Sequence, residues 1–386
     1  MRSAPMPASL FRREAWSDRW HAWRDRMLAS PLFQRRAAAF ALTRPVARRH
    51  ARELFDLVAG FVYSQVLLAC VQLRVFDMLA EGPQPIDGLA ARLALTPEAT
   101  RRLLDAAVSL RLLEHRGGER YGLGALGAPM VGNDAVAAMV LHHGALYADL
   151  SDPVALLRAA PDERCANALA RYWAYDDARA PRSHPAVDAY SALMAASQPL
   201  VADEILDAYA LRGHRCLMDV GGGDGRFLAR VAQRIAGIDL MLFDLPAVVE
   251  RARSRFESTA LSTRVRLFGG NFLTEALPRG ADVVSLVRVV HDHDDNDAMT
   301  ILRRVRAALP PGGTLLLAEP MAQTAGAEAM GDAYFGFYLL AMGRGRPRSA
   351  EQLTRMLIAA GFDAVRSRPT RMPLQTKLLV ARCPRA

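Results

Sequence analysis

Two short segments of this chain contain reactive or ligand-binding residue types close together in the sequence. SLVRVVHDHDD, residues 285–295, passes from an apolar run into two histidines and three aspartates, and histidine readily exchanges a proton near neutral pH. DVGGGDG begins at Asp219 and is rich in glycine, which lets a backbone approach a ligand closely. Its glycines are Gly221, Gly222, Gly223 and Gly225. The first segment therefore indicates proton transfer, and the second indicates ligand binding.

Both segments lie at the ends of predicted β-strands. The C-terminal half alternates apolar strands with helices, which is typical of an α/β fold with a Rossmann-like, doubly wound sheet. The predicted strands are CLMDV at 216–220, DLMLFD at 239–244, VRLFGG at 265–270, ADVVSLVRVV at 281–290, GTLLLAEP at 313–320 and, after a helix at 349–360, KLLVARC at 377–383. Ligands in such sheets bind beyond the carboxyl ends of the strands.

The glycine spacing and a following acid predict a nucleoside cofactor. Asp244 closes the second strand, where a carboxylate can accept hydrogen bonds from both ribose hydroxyls. A dinucleotide-binding G-x-G-x-x-G sequence would need glycine at position 226, and this chain has Arg226. The G-x-G-x-G form instead suits S-adenosylmethionine, which has no phosphate. A nicotinamide cofactor and a purely structural glycine turn are the alternatives.

The cluster of histidines and aspartates admits several interpretations. A metal site is disfavoured, because adjacent residues on a strand point to opposite faces and do not all converge on one ion. Asp294 or Asp295 is predicted to cap a helix that begins near Asn296, where a carboxylate satisfies free N–H groups. His291 is interpreted as a general base, and the alternative is a hydrogen-bonded histidine without a chemical role.

Residues 53–210 are predicted to form a helical domain that begins as a winged helix. A long apolar helix, a short helix, a cap at Thr96, a third helix at 97–112 and a glycine-rich hairpin follow in that order. Winged helices often bind DNA through the third helix, but this one is largely apolar, as expected of a helix buried in an interface. A DNA-binding regulator is therefore the disfavoured alternative, and no nucleic acid is expected as a partner.

Residues 1–52 form a basic arm with an amphipathic pattern. They contain twelve arginines against three acids, an excess of nine that equals the net charge of the whole chain. Trp16, Trp20, Trp23 and Met27 recur at helical spacing and predict one apolar stripe. Such a helix suits an anionic membrane surface. Packing on the protein's own body or on a dimer partner is an equal alternative, and nucleic acid is a lesser one.

Cysteine usage and hydropathy indicate the cytoplasm. The four cysteines lack the CxxC spacing of a thiolate metal site and show no disulfide pattern. No signal-peptide pattern and no charge-free run of about 18 apolar residues is visible, so no membrane-spanning segment is expected. The expected location is the cytoplasm, with peripheral attachment to an anionic membrane as an extension of the arm's pattern.

Five motifs together resemble the S-adenosylmethionine-dependent O-methyltransferases of the plant caffeate and bacterial polyketide type. They are DVGGGDG, FDLP at 243–246, GGNF at 269–272, VRVVHDHDD at 287–295 and LLLAEP at 315–320. The likeness implies a class I methyltransferase domain at 211–386, with 53–210 as a dimerisation domain and a homodimer as the assembly. The arm and first long helix most resemble the demethylspheroidene (hydroxyneurosporene) O-methyltransferases of purple photosynthetic bacteria, which implies methylation of the tertiary 1-hydroxyl of acyclic carotenoids.

The resemblance also implies roles for single residues. His291 takes the place of the family's general base, Glu319 that of the acid that orients it, and His293 that of a tryptophan over the adenine. Pro347 stands where the phenol-methylating members have a second acid. No metal is implied. The residues implied in cofactor binding are Asp219, Gly221, Gly222, Gly223, Gly225, Asp244, Leu245, Asn271, Phe272, Arg288 and His293.

An apolar acceptor pocket is expected around MGDAYFGFYLLAMGRG, residues 330–345. Aromatic and methionine side chains at this spacing belong equally often to a core, which is the alternative. Two other acceptors remain open. One is an oxygen of a phenol or polyketide, and the other is a tetrapyrrole carbon, as in bacteriochlorophyll-type C-methyltransferases. The candidate pocket residues are Met194, Tyr334, Phe335, Tyr338 and Met342.

Overall fold

The computed structural model describes residues 8–164, 166–171, 185–257 and 259–385. The chain separates into two compact units, residues 1–128 and 129–386. The domain limits predicted from the sequence, at 52/53 and 210/211, stay predictions.

The first unit consists of helices and a small antiparallel sheet in which β3 lies between β1 and β2. Thr96 caps α6 by accepting a hydrogen bond from the Ala99 N–H, as predicted. The order of helices and hairpin is that of the predicted winged helix. Its elements are α1 (Ala8–Ala29), α2 (Pro31–Ala39), α3 (Arg44–Gln72), α4 (Val75–Ala80), β1 (Gln84–Pro85), α5 (Ile86–Leu93), α6 (Pro97–Ser109), β2 (Leu113–Arg116) and β3 (Arg120–Leu123).

Helix α3 exposes a long apolar face. By length and composition alone, this helix could cross a membrane. The expectation that no segment spans a membrane stays a prediction, because length and composition alone do not distinguish a membrane-spanning helix from one that packs in an interface. An exposed apolar face of this extent also suits a protein interface. Its large side chains, each between 46% and 81% exposed, are Leu54, Phe55, Leu57, Val58, Phe61 and Val62.

The second unit holds the predicted α/β sheet. A π-helical turn, Ala329–Tyr334, leads into α14. The elements are α7 (Asp134–Asp149), α8 (Pro153–Arg158), α9 (Pro161–Arg164), α10 (Pro185–Ala208), β4 (Cys216–Val220), α11 (Arg226–Arg234), β5 (Asp239–Asp244), α12 (Pro246–Glu257), β6 (Val265–Gly269), β7 (Val283–Val287), α13 (Asp295–Ala308), β8 (Thr314–Glu319), α14 (Phe335–Met342), α15 (Ala350–Ala359), β9 (Asp363–Arg368) and β10 (Lys377–Arg382).

The sheet has the strand order β6-β5-β4-β7-β8-β10-β9. Strands β4 to β8 are parallel, and β10 runs antiparallel to both of its neighbours. Apolar clusters cover both faces, so the central strands are buried throughout. The carboxyl ends of β4, β5, β7 and β8 consequently meet at one edge, where the two chemically suggestive segments lie.

Candidate functional site

The glycine loop after β4 combines an open position with a tightly packed one. Gly223 has a φ of 61° and nothing within 4 Å of the position that a Cβ would occupy. At Gly225, with a φ of 81°, a Cβ would lie 2.4 Å from the Phe256 ring. Positive φ angles favour glycine at both positions. Gly225 therefore lets α11 start close to α12, while Gly223 leaves room for a ligand beside the backbone.

Asp244 fastens this loop to the end of β5. Its Oδ2 accepts a hydrogen bond from the Gly223 N–H at 2.8 Å, and its Oδ1 accepts one from the Leu245 N–H at 2.7 Å. Burial raises the pKa of Asp244 to about 6, although both hydrogen bonds oppose the rise. Each carboxylate oxygen keeps a further lone pair. The arrangement can accept hydroxyl groups of a ligand, and the predicted contact of Asp244 with a ribose stays a prediction.

Asp219 presents a buried carboxylate oxygen without a hydrogen-bond donor. The side chain is 1% exposed, and Oδ1 accepts a hydrogen bond from the Ser285 hydroxyl at 2.6 Å. Oδ2 has no partner among the described residues. Burial raises the pKa of Asp219 to about 7, and the nearby Asp244 adds to the rise. An orphaned buried oxygen of this kind suits a cationic ligand group.

His291 lies on a 3₁₀ turn, Val290–Asp292. The strand predicted to run to Val290 already ends at Val287, so His291 does not directly follow the strand as predicted. Its Nδ1 is hydrogen-bonded to the Glu319 carboxylate. The other oxygen of Glu319 accepts the backbone N–H groups of Val289 at 3.1 Å and Val290 at 2.7 Å. Glu319, the last residue of β8, thus holds both the turn and the imidazole ring.

Asp292 is a site residue that the sequence reasoning missed. Its Oδ1 lies 3.1 Å from Nε2 of His291, so carboxylates flank both ring nitrogens. Burial lowers the pKa of His291, but Asp292 and Glu319 outweigh it and raise the pKa above its usual value. Burial raises the pKa of Asp292 to about 6. On a strand, Asp292 would face away from His291; the 3₁₀ turn brings the two side chains together.

The other two aspartates of the cluster lie at the start of α13, so the prediction that Asp294 or Asp295 begins this helix is confirmed in position but not in the capping hydrogen bond. Asp294 occupies the N-cap position of α13, yet its side chain makes no capping hydrogen bond and accepts the Gly345 N–H instead. Asp295 binds the guanidinium groups of Arg346 and Arg348. Within the described ranges, no three His, Cys, Asp or Glu side chains are grouped to hold a metal ion.

Arg348 fixes the turn that carries His291. Its guanidinium, 1% exposed, donates to the carbonyl oxygens of Val290 at 2.8 Å and His293 at 2.7 Å. The Arg346 N–H donates to the carbonyl oxygen of His291 at 2.9 Å. The segment GRPRS, residues 345–349, is thus hydrogen-bonded to the turn by Arg346 and Arg348. Pro347, at the place of the expected second acid, contributes no carboxylate, whereas Asp292 does.

The residues predicted near the adenine lie together beside the glycine loop. The ring of His293 meets that of Phe272 edge-on, with centroids 5.3 Å apart. Phe272 lies 3.7 Å from the position of a Cβ on Gly221. Asn271 uses its side-chain oxygen locally, to accept the Leu273 N–H at 2.8 Å. The predicted contact between Asn271 and an exocyclic amine stays a prediction.

Arg288 is tied to helix α10. Its guanidinium donates to the Ser197 hydroxyl at 2.7 Å and to the side-chain oxygen of Gln198. Its backbone has a φ of 56° and donates to the Ala318 carbonyl oxygen. The predicted role of Arg288 beside a carboxylate of the cofactor stays a prediction.

Four of the predicted pocket residues form an aromatic and apolar group next to His291. The Phe335 ring meets the imidazole of His291 edge-on at 5.9 Å, and Tyr334 meets Phe335 at 5.0 Å. Tyr338 and Met342 are buried in an apolar cluster. The side chain of Met194, on α10, lies outside the described residues. These side chains can therefore belong to the apolar core and also line a pocket, because Phe335 at one end of the cluster contacts His291.

Family models match most of this chain. A model described as an O-methyltransferase domain matches residues 149–363, and one described as an O-methyltransferase dimerisation domain matches residues 55–133. The first includes every predicted catalytic and cofactor-binding residue. The second includes α3 from Phe55 onward, and with it most of the exposed apolar face.

Similar proteins and structures agree with these matches. The chain is 43% identical to a demethylspheroidene O-methyltransferase of Cereibacter sphaeroides, over 92% of this chain and 93% of that one. It is 40% identical to a protein of the same name from Rhodobacter capsulatus, over 98% and 90%. The structure of human N-acetylserotonin methyltransferase in complex with S-adenosylmethionine matches with a TM-score of 0.72 at 25% identity, covering 87% of this chain and 98% of that one.

Proposed function

This chain belongs to the S-adenosylmethionine-dependent O-methyltransferase family, and we propose that it methylates the tertiary 1-hydroxyl of acyclic carotenoids such as demethylspheroidene. The observation that carries this proposal is the identity of 40–43% to two demethylspheroidene O-methyltransferases over 92–98% of the chain. The longer of these matches includes nearly all of the basic arm. The product is a methyl ether, formed together with S-adenosylhomocysteine.

The glycine loop and its two acids fit the methyl donor. S-adenosylmethionine, when bound, supplies a methyl group on a sulfonium, which is already a good leaving group. Asp244 suits the ribose hydroxyls, because both of its oxygens are held and keep lone pairs. Asp219 suits a positively charged group, because its Oδ2 is buried without a donor. Positioning the donor and acceptor then provides most of the rate acceleration.

We expect Asp219→Asn to stabilise the ligand-free protein at pH 8 and to weaken S-adenosylmethionine binding at least tenfold. Because the pKa of Asp219 rises to about 7 on folding, the folded state binds more protons than the unfolded state between about pH 4 and 7. The stability contribution of the protonated carboxyl is therefore lost as pH rises through 7. Asparagine carries no charge at any of these pH values, so the variant does not lose this free energy of unfolding, which is on the order of a few kcal/mol. Calorimetric thermal unfolding from pH 5 to 8 and binding titrations measure both effects.

Ser285→Ala is the matched control for this variant. It removes the hydroxyl that donates to Oδ1 of Asp219, so stability at pH 8 should fall instead of rise. An asparagine variant that is less stable than the wild type at pH 8, or that binds the methyl donor equally well, would contradict the role given to Asp219.

In the proposed reaction His291 accepts the acceptor's proton at Nε2, since Nδ1 is held by Glu319. The acceptor hydroxyl then shares Nε2 with the Asp292 carboxylate, which lies 3.1 Å away. A tertiary alcohol is far too weak an acid to lose its proton beforehand, so proton removal accompanies methyl transfer. Glu319 and Asp292 stabilise the imidazolium that forms. Phe335, beside the His291 ring, supports an acceptor pocket in the segment 330–345, where the apolar cluster suits a polyene.

The first unit is proposed to serve assembly and location. The dimerisation domain and the exposed apolar face of α3 support a homodimer. The arm supports docking of the enzyme on the anionic cytoplasmic face of the photosynthetic membrane, where a carotenoid is dissolved. Trp16, Trp20 and Trp23 lie on α1 with 77%, 54% and 45% of their surface exposed, among exposed arginines.

The acceptor assignment is tested by incubating the purified protein and S-adenosylmethionine with detergent-dispersed demethylspheroidene. Parallel reactions contain catechols, hydroxylated polyketides or N-acetylserotonin. Mass spectrometry is expected to find one added methyl group on the carotenoid alone. Methylation of the phenols without the carotenoid would leave the family assignment intact and overturn the proposed acceptor.

A further inference from the structure

Two adjacent histidines on α7 each hold a tyrosine of the segment 330–345. Nε2 of His142 lies 2.9 Å from the Tyr338 hydroxyl, and Nε2 of His143 lies 2.8 Å from the Tyr334 hydroxyl. The tyrosine rings stack at 5.7 Å with 27° between their planes. Two neighbouring histidines of α7 thus bind two tyrosines that are four residues apart in the segment 330–345. The result is two histidine–tyrosine pairs side by side.

These pairs are linked to the reacting histidine by direct ring contacts. Tyr334 packs edge-on against Phe335, with centroids 5.0 Å apart and planes at 85°. Phe335 in turn packs edge-on against His291 at 5.9 Å and 76°. Edge-to-face contacts of this kind set the relative orientation of aromatic rings. The orientation of Tyr334 therefore bears on the position of Phe335 beside the base.

The two pairs are uncharged at neutral pH. Burial lowers the pKa of His142 to about 4 and lowers that of His143 as well. Burial also raises the pKa of Tyr334. Each histidine satisfies a tyrosine hydroxyl, so polar atoms inside an apolar cluster are paired with one another. The surface that these rings offer to an acceptor is consequently apolar and without charge.

We propose that His142 and His143 are specificity-determining positioning residues, which hold Tyr338 and Tyr334 so that Phe335 shapes a site beside His291 for an uncharged, apolar alcohol. This inference rests on the proposed function and names residues for acceptor recognition. The histidines act through the tyrosines and do not themselves exchange protons with the acceptor. Their loss should therefore affect acceptor binding more than methyl-donor binding.

The test is steady-state kinetics of the full-length protein with demethylspheroidene in detergent and S-adenosylmethionine. His143→Phe is expected to raise the acceptor KM about five- to tenfold, the effect of losing one hydrogen bond, with the methyl-donor affinity unchanged. His143→Gln, which keeps a polar nitrogen near the same place, should restore most of the wild-type KM. In a double-mutant cycle with Tyr334→Phe, the two effects should be non-additive, because both changes remove the same hydrogen bond.

Tyr209→Phe provides the matched control. Tyr209 makes a histidine–tyrosine hydrogen bond of similar length, 2.9 Å, to His214, which precedes the amino end of β4 at the opposite edge of the sheet. This variant should keep the wild-type KM. An unchanged KM in His143→Phe, or an equal rise in Tyr209→Phe, overturns the inference while the proposed function stands. A wild-type protein that does not methylate the carotenoid overturns the proposed function, and the inference with it.

Discussion

His291→Gln is expected to lower turnover by about 10²- to 10⁴-fold, the usual contribution of a general base, while the protein still binds S-adenosylmethionine. Glutamine keeps a polar side chain on the turn but does not take up the proton of the acceptor hydroxyl. The backbone N–H groups that donate to Glu319, and the carbonyl that accepts from Arg348, do not involve the imidazole, so the fold around it should persist. Single-turnover rates and donor-binding titrations separate the two effects.

His214→Gln is the matched control for the base. Nδ1 of His214 also binds a carboxylate, that of Asp282, at 2.9 Å, but at the amino end of the sheet. Its replacement should leave turnover near the wild-type value. Turnover of His291→Gln within a few-fold of the wild type would rule out the general-base assignment.

The pH dependence of kcat/KM tests the general-base role of His291 independently. The two flanking carboxylates raise the pKa of His291, and only the neutral imidazole accepts a proton, so kcat/KM should fall as pH drops through that raised pKa. Asp292→Asn removes one of the carboxylates. The acidic limb of its profile should therefore move to lower pH.

Replacing four exposed arginines of the arm by glutamine is expected to weaken binding to anionic vesicles by about 10²- to 10³-fold. Each basic residue near such a surface contributes about 1 kcal/mol, and the effects add roughly. Glutamine keeps the helix propensity close to that of arginine. Sedimentation with phosphatidylcholine vesicles, with and without phosphatidylglycerol, measures the change. The four residues, one on α1, two on α2 and one on α3, are Arg19, Arg35, Arg36 and Arg48.

A second quadruple variant distinguishes an effect of the arm's arginines from an effect of the protein's net charge. It makes the same change of charge at four exposed arginines outside the arm, and it should bind vesicles like the wild type. Equal losses in both variants would point to the whole protein's charge. Unchanged vesicle binding of the arm variant, combined with a shift in oligomeric state, would favour packing of the arm on a partner. The control residues are Arg279, Arg303, Arg366 and Arg368.

Hydropathy and glycine spacing were enough to predict the sheet and the reactive residues at its edge. Strands β4 and β5 begin and end where predicted, because a strand buried on both faces reads as a continuous apolar run. The same regularity located the glycine loop, Asp244 and Glu319 at strand ends. Strand β9 escaped prediction, because it is a largely exposed edge strand without such a run.

Apart from Glu319, the side chains around the base are brought there by contacts that the sequence did not reveal. The apolar run predicted a strand up to Val290, directly before His291, whereas β7 ends at Val287 and a 3₁₀ turn brings Asp292 to the second ring nitrogen of His291. Arg348 reaches this turn across more than fifty residues, and His143 reaches Tyr334 across almost two hundred. Contacts between distant segments leave no periodic signal in either segment. They arise only when the fold has placed α7, α14 and the sheet edge side by side.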